Sequence, residues 1–297
     1  MTAQNNPSQD EVFDLVIIGA GIYGICCATT YLSLHPTHRV QVFDSGTTIG
    51  GVWSASRHYP HFWAQSGARV SGYPDKRFQP PVDAEEYYDL VPAKYLGEYL
   101  EDYVDEKVFE GKGLRERIAL RTWVKDVRKV EGLWRVSAEK EEEGKVMFRA
   151  KKIVVATGLS SLPNMPDLPG KESFNGLILH QKDVGRSKVL TPEEERLEDH
   201  ESVTIYGGAK SAADLAYAAA RDTSRNGQHR KVNWIIRSSG GGPLGMVHPK
   251  SPFSMYKNIT ETATARAMSG LSSANPYLKE GTWREWLLYV RSQWIRQ

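Results

Sequence analysis

The stretch that decides the fold is Asp14-Leu15-Val16-Ile17-Ile18-Gly19-Ala20-Gly21-Ile22-Tyr23-Gly24. An apolar β-type run opens straight into a glycine turn and then into a helical stretch, Ile25 to Leu34. The spacing has a physical reading. Gly19 permits the tight turn, Gly21 lets backbone amides approach a pyrophosphate, and Gly24 lets the helix lie close on the strand. The helix start then offers partial positive charge to phosphate oxygens. A second β-type run, Arg39 to Phe43, ends in Asp44, about 20 residues beyond the last glycine, where a carboxylate can accept hydrogen bonds from a ribose diol. These features predict a βαβ dinucleotide unit with Gly19, Ala20, Gly21, Gly24 and Asp44 as cofactor-binding residues.

A second unit of the same kind is predicted further on. Ser202 to Tyr206 reads as a strand, Gly207-Gly208-Ala209-Lys210-Ser211-Ala212 as the turn, and Ala213 to Arg221 as an Ala-rich helix. Val232 to Arg237 reads as the next strand. Lys210-Ser211 lacks the glycines of an ATP-binding phosphate loop, so a dinucleotide is expected instead. Arg237, at the tip of the last strand, and Lys210 are candidates to meet the 2′-phosphate of NADPH. Between the units, Val91 to Val104 carries a helical apolar stripe, read as core packing. Thr122–Val130, Leu133–Glu139 and Lys145–Ala150 alternate as antiparallel strands, and Lys152-Ile153-Val154-Val155 is read as a separate buried strand before Ala156-Thr157-Gly158. The stretch Ser54 to Asp89 is long and irregular, a candidate wall of an active site. His58 and His61 are too isolated for a metal site, and none is expected.

Composition narrows the function classes. The 297 residues hold 38 Lys plus Arg against 36 Asp plus Glu, a net charge of +2, with 40% hydrophobic and 25% charged residues. That balance suits a globular chain and removes the basic footprint of a nucleic-acid binder. The cysteines number two, Cys26 and Cys27, adjacent in sequence, so no disulfide framework is expected. The longest apolar run, Leu15 to Ala28, is interrupted by glycines and too short to span a bilayer. No signal peptide is read at the start, which predicts a cytoplasmic protein with a disordered leader over 1–11.

Several motifs carry a family resemblance. Gly50-Gly51-Val52-Trp53 follows the second strand, Ala156-Thr157-Gly158 ends a later one, Pro163, Pro166 and Pro169-Gly170 form a linker, and Phe174 to His180 begins an FxGxxxH pattern. With Gly207, Ser211, Ala212 and Asp214 in a GxGxSAxD pattern, the chain resembles the flavin-containing and Baeyer–Villiger monooxygenases. It departs from them at Ala209 for a glycine, Val184 for an aromatic, and Gln65-Ser66 for a flavin-side Asn. The resemblance implies an α/β fold with two Rossmann-like dinucleotide-binding domains, the first incomplete: FAD-binding over 12–170 and NADPH-binding over 171–297. It adds Gly51, Val52, Trp53, Gln65, Thr157 and Gly158 to the FAD site, and Gly207 and Ser211, with Lys210 and Arg237, to the NADPH site. No residue is identified as a general acid or base. The implied activity is insertion of one oxygen atom from O2 into a small organic metabolite through a flavin C4a-(hydro)peroxide. The alternatives are an FAD-linked dehydrogenase and a shortened, non-catalytic binding module. Family members continue past the NADPH domain and return to the FAD domain, so the chain is expected to be a shortened relative, a fragment, or one complemented by another chain. Trp283, Trp286, Leu287, Val290 and Trp294 recur at helical spacing, an expected contact for a homodimer or a complementing chain.

Overall fold

The computed structural model describes residues 12–64, 67–68, 71–86, 90–159, 161–190, 200–223 and 227–237. The leader, Gln65-Ser66 and the tryptophan-rich segment therefore lie outside the described residues. Compactness divides the chain into one unit of 1–62 with 92–244, and another of 63–91 with 245–297. The first unit contains both glycine turns.

Its main sheet has six strands in the order β5-β2-β1-β8-β7-β6. The parallel part is β5 (Ile118–Ala119), β2 (Val40–Phe43), β1 (Val12–Ile18) and the second half of β8 (Gly144–Val155). Helix α1 (Ile22–Leu34) crosses from β1 to β2, as the opening motif predicts, and buries Ile25, Ala28, Thr29 and Leu32. On the other side β6 (Thr122–Val130) and β7 (Leu133–Lys140) form an antiparallel meander with the first half of β8. Phe43 and Phe148 pack at 4.7 Å between ring centroids, and Phe13 and Phe148 at 6.2 Å, so the aromatic core joins the two parts of the sheet.

One expectation is corrected here. Lys145–Ala150 and Lys152–Val155 are one continuous strand, with Arg149 and Ala150 paired to β7 on one side and to β1 on the other. The charges at Lys151-Lys152 are absorbed at the surface. The Lys151 ammonium donates to Asp14 at 2.8 Å, and the Lys152 ammonium lies 5.5 Å from the centre of the Tyr31 ring.

The helix α2 (Lys94–Glu106) buries Leu96, Gly97, Tyr99, Leu100, Tyr103 and Val104 along the predicted stripe. A short hairpin of β3 (Val108–Phe109) and β4 (Lys112–Gly113) follows it. Past the proline linker, the four-residue α3 (Val184–Ser187) precedes the second glycine turn. There β9 (Ser202–Tyr206) and β10 (Lys231–Ile235) pair in parallel around α4 (Lys210–Arg221), the predicted βαβ unit with a helix that begins three residues earlier than the alanine run suggests. No helix among the described residues is long and apolar enough to cross a membrane.

Candidate functional site

Both glycine turns end parallel strands and start helices, and they have the same backbone form. Gly21 precedes α1 at φ −80°, ψ −175°, and Ala209 precedes α4 at φ −89°, ψ 175°. That conformation suits any residue, so Ala209 occupies the middle glycine's place without backbone strain. Neither amino end is capped by a side chain, and neither first turn contains an acid. The first-turn N–H groups of a helix lack intrahelical acceptors, so an end left uncapped suits an anion.

The first turn is tightly built. Gly19 has φ 111°, and a Cβ there would collide with the Ala156 carbonyl. The Ala156 N–H donates to the Ile18 carbonyl at 2.8 Å, which sets the Thr157 backbone next to Gly19. A Cβ on Gly24 would overlap the Gly19 carbonyl oxygen. At Gly21, by contrast, the nearest atom to an added Cβ is the Gly51 Cα at 3.7 Å. The turn is therefore closed at Gly19 and Gly24, whereas Gly21 makes no more than an ordinary contact with Gly51. These residues fit a dinucleotide.

Asp44 directly follows β2, and both of its carboxylate oxygens are engaged. The Ala20 N–H donates to Oδ2 at 2.7 Å and the Gly46 N–H to Oδ1 at 2.6 Å. An ionised carboxylate has lone pairs left for a ribose diol, so Asp44 can shape the turn and still receive a ligand. Gly50 donates to the Ala20 carbonyl at 2.8 Å, which docks Gly51, Val52 and Trp53 against the first turn.

The positioning of Trp53 was not legible in the sequence. Its carbonyl is bonded to His58 Nε2 at 2.9 Å, its indole stacks on Phe62 at 5.9 Å, and a Cβ on Gly97 of α2 would come 2.5 Å from that carbonyl. A lone glycine within a helical apolar stripe was the available signal for Gly97. Burial holds the His58 imidazole below its ordinary value of 6.5, against the bond to Trp53 and with the help of the Lys94 charge. Such a histidine binds fewer protons folded than unfolded, so stability is lost as pH falls from 6.5 through the folded value. We expect the thermal midpoint to drop between about pH 7 and 5, and His58→Gln, which keeps an amide donor, to flatten that drop. Equal acid sensitivity in the variant would contradict this role.

In the second turn, the Gly207 N–H donates to the Ile235 carbonyl at 3.0 Å, and the Trp234 indole N–H to the Gly207 carbonyl at 2.7 Å. Lys210 and Ser211 lie in the first turn of α4, and Arg237 is exposed two residues past the end of β10. The Lys210 ammonium is paired with the Asp214 carboxylate and lies 4.8 Å from the centre of the Phe62 ring. The Tyr59 hydroxyl donates to Asp214 Oδ2 at 3.4 Å. Burial raises the Asp214 carboxyl pKa, although Lys210 and Tyr59 oppose the shift. His180 caps the turn Gln181–Asp183, its Nδ1 accepting from the Lys182 N–H at 3.2 Å. Val184, at the place of the missing aromatic, is buried with Tyr59, Ile205 and Ala216. Gln65 lies outside the described residues.

Two uncapped helix starts, each at the carboxyl end of a parallel strand, define a protein with two Rossmann-like nucleotide-binding units. Residues 17–79 match the NAD(P)-binding Rossmann-like domain, and residues 110–261 match the L-lysine 6-monooxygenase/L-ornithine 5-monooxygenase family. An FAD-dependent monooxygenase, resA of Aspergillus sclerotiorum, is 31% identical over 96% of this chain and 47% of its own length. Another, from Pyrenophora dematioidea, is 32% identical over 95% of this chain and 49% of its own. The cyclohexanone monooxygenase of Rhodococcus sp. Phi1, solved with NADP+, superposes with a TM-score of 0.57 at 28% identity, covering 76% of this chain and 38% of the other. The chain belongs to the flavin-dependent monooxygenase family described by the lysine/ornithine monooxygenase model. It spans about half the length of the relatives it matches.

Proposed function

We propose that this chain provides the FAD and NADPH sites of a cytoplasmic monooxygenase that inserts one atom of O2 into a small organic metabolite. The observation that carries the reading is the pair of glycine-turn helix starts with one backbone form, both in a single compact unit. In this reading Gly19, Ala20, Gly21 and Gly24 hold the FAD pyrophosphate, and Asp44 takes the ribose. Gly51, Val52, Trp53, Gln65, Thr157 and Gly158 line the flavin side. Gly207 and Ser211 hold the NADPH pyrophosphate, with Lys210 and Arg237 for its 2′-phosphate. A functional division near residue 170, at the end of the proline linker, follows from the same assignment.

Bound FAD supplies the redox and oxygen chemistry, and the protein orients it and limits water. Trp53, held by His58, Gly97 and Phe62, gives that side of the site a rigid apolar wall. None of the described residues is assigned a proton-transfer role. The test is direct: purify the full chain with FAD, reduce it anaerobically with NADPH, then admit O2 and follow the flavin spectrum and product. A yellow protein that NADPH bleaches and that forms an oxygenated product supports the reading. Colourless protein that takes up no FAD overturns it, and bleaching without oxygenated product assigns a dehydrogenase instead. Self-association through Trp283, Trp286 and Trp294 belongs to the same proposal, and size-exclusion chromatography tests it.

A further inference from the structure

The segment after Trp53 does more than line the first site, because Tyr59 enters the apolar cluster beneath the second glycine turn. Tyr59 is 7% exposed and packs in one cluster with Val184, Leu190, Ile205, Ala216, Ala218 and Ala219, with Phe62 against it. Tyr59 and Phe62 stack at 4.9 Å, and Phe62 stacks in turn on Trp53. The polar end of this aromatic series is Asp214 on α4, which holds both Lys210 and the Tyr59 hydroxyl. A continuous set of contacts thus runs from the amino end of α4 to the indole beside the first glycine turn.

The two bonds to Asp214 are unequal. Lys210 is in close ion-pair contact, whereas the Tyr59 hydroxyl stands at 3.4 Å, beyond the usual range for a good O–H···O bond. Lys210 is also the first residue of α4, the helix whose uncapped start suits a phosphate. The 2′-phosphate of NADPH, assigned above to Lys210, competes with Asp214 for the ammonium. The partly buried carboxylate would be left with Tyr59 as its remaining donor among the contacts described here, and a buried carboxylate without a strong partner is costly. Shortening of the Tyr59 bond offsets that cost.

We propose that Asp214 is a positioning residue that couples the second nucleotide site to the first: phosphate binding draws Lys210 from Asp214, the Tyr59 bond tightens, and Phe62 fixes Trp53 for the flavin. The inference rests on the two-site reading above and adds a direction to it. NADP+ strengthens FAD binding, and by linkage FAD strengthens NADP+ binding by the same factor. Asp214 touches neither reacting atoms nor a cofactor in this scheme.

The experiment measures FAD affinity of the full chain by flavin fluorescence, with and without saturating NADP+, and NADP+ affinity by calorimetry, with and without FAD. In the unaltered chain NADP+ is expected to tighten FAD about fivefold or more, with a matching reciprocal factor. Tyr59→Phe and Asp214→Asn are expected to bring both factors below about twofold, and Asp214→Glu to restore most of the effect. Circular dichroism checks that each variant is folded, and Tyr59→Phe keeps the buried ring if Asp214→Asn does not fold. Coupling that persists in Tyr59→Phe overturns the inference. So does a coupling factor of one in the unaltered chain, or a variant that weakens FAD equally with and without NADP+, which marks a merely structural role. Failure of the unaltered chain to bind either nucleotide removes the two-site reading and this inference with it. Binding of both without coupling removes only the inference.

Discussion

Gly24→Ala is expected to disable the first site by breaking the fold beneath it. The added methyl would overlap the Gly19 carbonyl oxygen, which is backbone held by the sheet and cannot rotate aside. Gly19 is itself pressed against Ala156, so relief by shifting the turn would disturb the strand end as well. Overpacking of this kind costs about 3 kcal/mol or more, which lowers the midpoint by roughly 6–12 °C in a chain of this size. Gly21→Ala is the informative contrast. Its backbone is in a region open to any residue, and the nearest atom to the new Cβ lies at 3.7 Å, an ordinary contact. Gly21→Ala should therefore melt within about 2 °C of the unaltered chain, while FAD binds about tenfold or more weakly because the close backbone approach that this glycine gives a pyrophosphate is lost. Thermal denaturation by circular dichroism and an FAD titration of both variants separate the two effects. Equal melting of Gly24→Ala and the unaltered chain would count against the packing argument.

Asp44→Ala is expected to have the next largest effect, because one carboxylate serves the turn and the ligand together. Removing it leaves the Ala20 and Gly46 N–H groups without their short bonds of 2.7 and 2.6 Å. Bonds to a charged acceptor contribute about 1.5–3 kcal/mol each, and water recovers some of that at a half-buried site, so a net loss of about 2–4 kcal/mol is expected. FAD affinity should fall by about 100-fold as the ribose loses its acceptor and the turn loses its shape. Asp44→Asn distinguishes these contributions. It retains one carbonyl oxygen for a backbone donor but turns an amide NH2 towards the other, so it should fall between the two in melting and in FAD titration. An Asp44→Ala chain that keeps FAD affinity within about threefold would remove the ribose role.

Much of the architecture was legible in residue order because the relevant forces are local. The run Asp14 to Gly24 predicts strand, turn and helix from hydrophobic period and glycine placement, and each appears where expected. Ser202 to Ile235 repeats the pattern, with Ala209 accepted because its backbone needs no glycine. Legibility ended where long-range partners decide. Lys145–Ala150 and Lys152–Val155 read as two strands until β7 and β1 are brought to either side of Arg149 and Ala150. Lys210 reads as a free phosphate ligand until Asp214, one helical turn on, takes its ammonium.

The sequence by itself thus determined that this protein has two glycine turns, each ending a parallel strand and opening a helix, since turn, strand and helix start are set by neighbouring residues. Only the tertiary structure decided how Trp53 is held and how Tyr59 meets Asp214. His58, Phe62 and Gly97 converge on Trp53 from different elements, and Tyr59 reaches Asp214 across more than a hundred intervening residues, being 155 apart in sequence. Such contacts have no local signature. They follow from which apolar surfaces the completed strands and helices leave to be buried, and a chain read residue by residue does not contain that information in any single segment.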